Sequence, residues 1–211
     1  MDQAGSGNVF FYGGGSSLGM IVRKAPGAEI ICESVLLPTE VPVASLAEVG
    51  PNQYYLSCWW TNTGESHLWK WNKGEISPAE VGGETDTSEY WFQSLWSVDG
   101  RLFAIHNQEL IVQEVKDQSN YVRYAIPRIN SPQGVVRKFA GTTVNDVFFV
   151  GDNGRVFHFN GHSVNKYDEV GELCPTASLL DVTVTKNKVY VVGEDYRANR
   201  AVLLVGTRVN K

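Results

Sequence analysis

The residues able to do chemistry are few and scattered. The four histidines, His67, His106, His158 and His162, make no His-x-His or Glu-x-x-His spacing, and the one His-x-x-x-His pair, His158 and His162, straddles the Asn160-Gly161 turn instead of sharing a helix face, so no metal-ligating pattern is evident. The three cysteines, Cys32, Cys58 and Cys174, are odd in number, far apart and free of any Cys-x-x-Cys pair. That argues against a disulfide framework or zinc site and for buried free thiols acting as small hydrophobes. No Gly-x-x-x-x-Gly-Lys-Ser/Thr phosphate loop occurs, and the Gly-x-Ser-x-Gly match at Gly15-Ser-Ser-Leu-Gly19 falls in a glycine-serine turn between two predicted strands rather than on the strand-to-helix turn of a nucleophile elbow. Glu48, Glu89, Asp99 and Asp181 could converge as paired carboxylates, but sugar hydrolysis needs an acid and a nucleophile or base about 5–10 Å apart. Solvated or turn-capping acids are the simpler reading. The expectation is therefore a protein without catalytic residues, metal or cofactor.

Tryptophan placement is the one unusual constellation. All six, Trp59, Trp60, Trp69, Trp71, Trp91 and Trp96, fall within 38 residues. Trp69 and Trp71 flank Lys70 and so share one strand face, while the adjacent Trp59 and Trp60 point to opposite faces. One of that pair should leave the core unless it lies at a sheet end. Aromatic anchors beside Glu65, Glu84, Asp86 and Glu89 suit a protein-binding hot spot or a sugar-stacking platform. Bulky packing between sheets is the plain alternative. The candidate binding residues are thus Trp59, Trp60, Trp69, Trp71, Trp91, Glu65, Glu84, Asp86 and Glu89.

The elements that must position these residues are strands. In Asn145–Val164 an apolar run (Val147–Val150) turns at Gly151-Asp152-Asn153-Gly154, returns through Val156–Phe159, and turns again at Asn160-Gly161. Aromatic and β-branched runs separated by such turns predict antiparallel hairpins. The pattern recurs about five times, with cores beginning near residues 9, 53, 101, 147 and 188. The period of roughly 41–48 residues matches propeller blades. Most copies carry a preceding inner strand and a following outer strand.

The stretch VNDVFFVGDNGRVFHFNGHSV resembles bacterial β-propeller repeats, loosely WD40-like, in which a Val-Gly-x-x-Gly turn precedes a short strand and Asn-Gly. The resemblance is clear over residues 141–165, fair over 179–206 and weak in the first three copies. It implies an all-β propeller of four-stranded antiparallel blades, at approximately 8–38, 43–81, 90–126, 134–170 and 178–209, after a disordered lead at 1–7. The first blade lacks an evident inner strand and the last an outer one, giving a tally near 18 strands. A closed five-bladed ring is favoured; four blades with an appended hairpin, a fragment, or assembly with a second copy are the alternatives. The resemblance implies fold and little function, since propellers host lectins, hydrolases, scaffolds and inhibitors. The Asn-Asp-Pro-Asn-Gly and Glu-Cys-Pro signatures of five-bladed sugar hydrolases are absent, and Glu172-Leu-Cys-Pro175 only approximates the latter.

At 211 residues and 43% hydrophobic, the chain can bury one full core. Its net charge of −5 lacks the basic footprint of nucleic-acid binding. No apolar run reaches a membrane span, and residues 1–7 lack the features of a secretory signal, so the cytoplasm is the expected compartment. These features favour a non-catalytic propeller that docks a basic protein, such as an inhibitor or immunity-type protein. A lectin-like propeller is the alternative, with a glycan as ligand, and a glycoside hydrolase ranks third.

Overall fold

The structure is a computed structural model. It describes the backbone of residues 2–3, 9–15, 18–24, 31–36, 43–51, 53–58, 67–72, 74–85, 94–106, 109–127 and 135–208. Side chains are described from residue 43 onward within these ranges, except at 44, 67, 84 and 85. The chain falls into two compact units, Met1–Arg123 and Tyr124–Lys211.

In the first unit, β1 (Asp2–Gln3), β2 (Val9–Gly15), β3 (Leu18–Lys24) and β4 (Ile31–Leu36) make a four-stranded antiparallel sheet in chain order. The second sheet is β5 (Val43–Gly50), β6 (Gln53–Cys58), β7 (His67–Asn72) and β8 (Glu75–Pro78), again in chain order. A short pair follows, β9 (Glu80–Val81) with β10 (Glu84–Thr85). The third sheet runs β11 (Ser94–Val98), β12 (Arg101–His106), β13 (Glu109–Glu114) and β14 (Tyr121–Ala125). Asp99-Gly100 joins β11 to β12 with φ of 48° and 73°, between the paired residues Val98 and Arg101. Positive φ at both positions is what a two-residue primed hairpin turn requires.

Strand β6 is buried on both faces, because alternate side chains enter different clusters. Tyr54, Leu56 and Cys58 pack with Val43, Leu46 and Trp71, whereas Tyr55 joins Leu68, Leu95, Leu102, Ala104 and Ile111. Ser45 couples two inner strands: its Oγ accepts from the Leu95 N–H at 2.9 Å and donates to the Leu95 carbonyl at 3.2 Å.

The second unit holds β15 (Val136–Thr143), β16 (Asp146–Gly151), β17 (Arg155–Phe159) and β18 (Val164–Lys166) as one antiparallel sheet. Helix α1 (Asp168–Leu173) follows, with Asp168 and Glu169 in its first turn, where negative charge suits the helix dipole. The last sheet has three strands, β19 (Ala177–Val184), β20 (Lys188–Asp195) and β21 (Arg200–Thr207). Phe148, Val150 and Val156 of one sheet pack with Leu179, Val182, Val189 and Val191 of the other, and Cys174 closes one end. On the opposite face of the fourth sheet, Phe149 stands between Phe139 and Phe157 at 5.4 and 4.9 Å. Gly154 has φ of 66°, and a Cβ there would lie 2.4 Å from the Cys174 carbonyl oxygen, so only glycine fits this turn.

Among the described residues, the five sheets of three or four strands, each an up-and-down antiparallel run in chain order, match the five-blade reading. Two details differ from the sequence reading. The first sheet does have a preceding strand: β1 lies within the stretch read as a lead and pairs Asp2 with Phe10 and Gln3 with Val9. Two polar residues carry no alternation that a pattern could reveal. Between the blades expected at 43–81 and 90–126 there is a further strand, β10, which turns back onto β9 through Gly82 and Gly83, both at positive φ.

Candidate functional site

The sequence-derived candidates do not form one described patch. Trp71 is a core residue, 6% exposed, with its ring 5.1 Å from Tyr54. Trp69 is half-buried against the same cluster. Trp96, the sixth tryptophan, is half-buried with its ring 5.4 Å from Phe103. Glu84 lies on β10 opposite Val81, and its side chain is outside the description. Trp59, Trp60, Glu65, Asp86, Glu89 and Trp91 all fall outside the described residues. Among the histidines, His106 is buried and His162 exposed. Cys58 and Cys174 are buried, and burial pushes the Cys174 thiol up, away from reactivity. Among the described residues, no group of three or more His, Cys, Asp or Glu side chains could hold a metal ion. No helix among them is long and apolar enough to cross a membrane.

What the structure does bring together lies in the second unit, around the last sheet. A cleft of about 420 Å³ opens between β17, β20, β21 and α1. Its walls are apolar, formed by Phe148, Val156, Val170, Val189, Val191 and Leu204. Its rim is polar and centres on Asp146, whose side chain is 14% exposed. Asp146 Oδ1 lies 3.1 Å from His158 Nε2, Oδ2 accepts from Arg208 Nη2 at 2.6 Å, and Thr142 Oγ1 also donates to Oδ2. His158 stacks on Phe148 at 4.3 Å, and Phe148 lies parallel to Tyr167 at 6.3 Å. Burial, reinforced by Glu169 and Asp146 and opposed by Arg208, pushes the Tyr167 phenol up, so it stays a neutral donor.

Arg208 pins the end of β21. Besides Asp146, it donates Nη1 to the Thr185 carbonyl at 2.9 Å, and its backbone N–H bonds the Asn187 carbonyl at 2.9 Å. Gly206, on the same strand, lines the cleft and leaves room in it. A Cβ there would meet only Val189, at an ordinary 3.8 Å. This constellation joins donors and acceptors to an apolar floor. It can hold an apolar group next to a polar rim.

The other face of the last sheet is apolar and bare. Register pairs Tyr190 with Val205 and Val192 with Leu203. These four are 38, 50, 45 and 66% exposed, and Leu180 joins them at 41%. Their alternate neighbours Val189 and Val191 are buried in the core. Strand β20 is thus apolar on both faces, the pattern of a strand covered on both sides, yet among the described residues only one side is buried.

Two carboxylates brace the hairpin ends. Asp152 accepts from Arg137 Nε at 2.8 Å, Ser178 Oγ at 2.6 Å and the Val135 N–H at 3.2 Å. Burial opposes its ionisation, but these bonds prevail and hold its carboxyl below the ordinary range. Asp195 accepts from Thr176 Oγ1 at 2.8 Å and from the Ala198 N–H at 3.2 Å, with Arg200 at 3.4 Å. The Thr176 hydroxyl bond leads the interactions that hold Asp195 down as well. Both are braces within the fold.

The sequence reading missed the Asp146 rim and the bare face. The rim joins residues 62 positions apart, with no motif to link them. The bare face did leave a signal, since β20 and β21 carry bulky apolar residues at both odd and even positions.

No protein-family model matches the chain, and no curated protein matches it in sequence. Solved structures do match. The WD40 β-propeller domain of Doa1 aligns over 92% of this chain and 61% of its own, at TM-score 0.58 and 10% identity. The extracellular domain of BT4673 from B. thetaiotaomicron aligns over 97% of this chain and 27% of its own, at TM-score 0.57 and 10% identity. PorZ, a bacterial surface component of the type-IX secretion system of Porphyromonas gingivalis, aligns over 96% and 25%, at TM-score 0.53 and 12% identity. The chain thus spans about three-fifths of the Doa1 domain and about a quarter of the two longer chains. At such identities the likeness shows the fold alone. The chain is an all-β protein with the β-propeller fold, loosely WD40-like.

Proposed function

We propose that the chain is a non-catalytic binding module that docks another protein through its last sheet. The observation that supports this is the bare apolar face formed by Leu180, Tyr190, Val192, Leu203 and Val205. Contiguous apolar surface on one sheet face marks an interaction site far better than isolated exposed residues do. Large side chains at its centre, Tyr190 and Leu203, supply the area that drives association. The tryptophan-rich edge with Glu65, Asp86 and Glu89 remains a second candidate surface, for a protein or a glycan. The net charge of −5 favours a basic partner at long range, and an inhibitor or immunity-type role is one form such docking takes.

The test is capture from the native source with wild-type bait beside a Leu203→Asp, Val205→Asp double variant. Both positions are exposed, so folding should be kept. A stoichiometric protein that elutes from the wild type and is lost from the variant is the expected result. Identical eluates from the two baits would overturn docking at this face.

A further inference from the structure

The cleft of the second unit opens on the side of the last sheet opposite the bare face. Val189, Val191, Leu204 and Gly206 line it, whereas Tyr190, Val192, Leu203 and Val205 alternate with them and point the other way. Its volume of about 420 Å³ lies in the range of small-molecule pockets. An apolar cavity of about 150 Å³ is enough for benzene, so this one has room for two fused rings. Phe148 lies within 17° of parallel to both His158 and Tyr167, so three rings of the lining share nearly one orientation. A flat ligand can stack against such a wall.

The polar groups say what that ligand carries. Asp146 is fully engaged, accepting from Arg208 and Thr142 through Oδ2 and meeting His158 through Oδ1. Arg208 is engaged in turn by Asp146 and the Thr185 carbonyl. Two groups keep unused capacity. A carboxylate only accepts, so His158 Nε2 carries the hydrogen it donates to Asp146, and the neutral ring is left with a lone pair on Nδ1. Nδ1 bonds nothing among the described residues, and neither does the Tyr167 hydroxyl, which burial keeps protonated. Charge on the ligand is disfavoured, because burying it against valine and leucine needs a free partner. For an anion, Arg208 is already taken, and Asp146 and Glu169 outweigh it at the Tyr167 phenol. For a cation, Asp146 is already held by three donors.

We propose that this cleft binds a small neutral aromatic molecule, flat and of about two fused rings, whose single hydroxyl donates to His158 Nδ1. The Tyr167 hydroxyl supplies a donor for the ligand's oxygen. The site goes beyond docking at the bare face and does not rest on it, since the two occupy opposite faces of the last sheet.

The probe is 2-naphthol, titrated calorimetrically into the full chain at about pH 8, where an ordinary imidazole is neutral. It should bind saturably. 2-Methoxynaphthalene keeps the rings but cannot donate, and should bind at least about fivefold more weakly, the size of one net hydrogen bond. The anion 2-naphthoate should bind at least about tenfold more weakly. Gly206→Val, which takes up room in the cleft, should weaken 2-naphthol at least about tenfold without lowering Tm. His158→Phe keeps a ring on Phe148 but removes the acceptor, so naphthol and ether should then bind within about twofold of each other. The Leu203→Asp, Val205→Asp variant should bind 2-naphthol as the wild type does. No saturable binding, equal affinity of the wild type for naphthol and ether, or undiminished binding by Gly206→Val would each overturn the proposal. Loss of 2-naphthol binding in the Leu203→Asp, Val205→Asp variant would place the probe on the bare face and overturn it too. Failure of 2-naphthol with partner capture still lost from that variant would remove the small-molecule site and leave docking standing.

Discussion

Replacing Gly206 with valine should stabilise the chain, which is unusual for a glycine in a small protein. The residue lies in extended backbone on β21, where a β-branched side chain is favoured. The added Cβ meets Val189 at 3.8 Å, an ordinary contact, so nothing must move. Loss of glycine's freedom in the unfolded chain is worth roughly 0.4–1 kcal/mol. Three added carbons, about half shielded by the cleft walls, contribute on the order of 1 kcal/mol at about 0.8 kcal/mol per fully buried methylene. Together these give a gain of about 1–2 kcal/mol and a rise in Tm of about 2–4 °C for each kcal/mol in a chain of this size. Scanning calorimetry and urea midpoints should show both. A fall in Tm would mean the space beside Gly206 is already filled, since overpacking costs about 1–3 kcal/mol. That result would refute the open cleft.

Asp152 is ionised and bonded in the folded chain, with its carboxyl held below the ordinary value of about 3.9. Its contribution is therefore present above about pH 4 and lost as the pH falls through the lower folded value. Asp152→Asn should cost about 1.5–3 kcal/mol of stability at pH 7 through lost charged hydrogen bonds, seen as a lowered Tm, and should flatten the acid limb of Tm against pH. Trp71→Ala should cost about 3–5 kcal/mol as a buried aromatic truncation, seen in the urea midpoint. Trp60→Ala, if that ring serves the second candidate surface, should weaken partner capture at unchanged Tm, and a lowered Tm instead would place it in the core.

Blade strands were legible wherever alternation and turn chemistry agreed. Asp99-Gly100 and Asp152-Asn153-Gly154 mark hairpins because only such residues accept the positive φ the turns impose. Gln53–Cys58 reads as a strand buried on both faces from its unbroken Tyr-Tyr-Leu-Ser-Cys run. Asp2–Gln3 could not be read, because two polar residues pair through backbone alone. The tryptophan cluster misled in part: Trp71 shares a strand face with Trp69 as its spacing requires, but that face turns inward onto Tyr54. The Asp146–His158–Arg208 rim was invisible because it depends on how two neighbouring sheets face each other. The bare face of β20 and β21 was legible in principle, since apolar residues at both parities demand cover on both sides.

Hydrogen–deuterium exchange on the complex with the captured partner tests docking at the last sheet most directly. Amides of Arg200–Thr207 and of Tyr190 and Val192 are expected to slow when the partner is bound, with the first unit unchanged. Unchanged exchange along β20 and β21, with protection appearing elsewhere, would contradict the account.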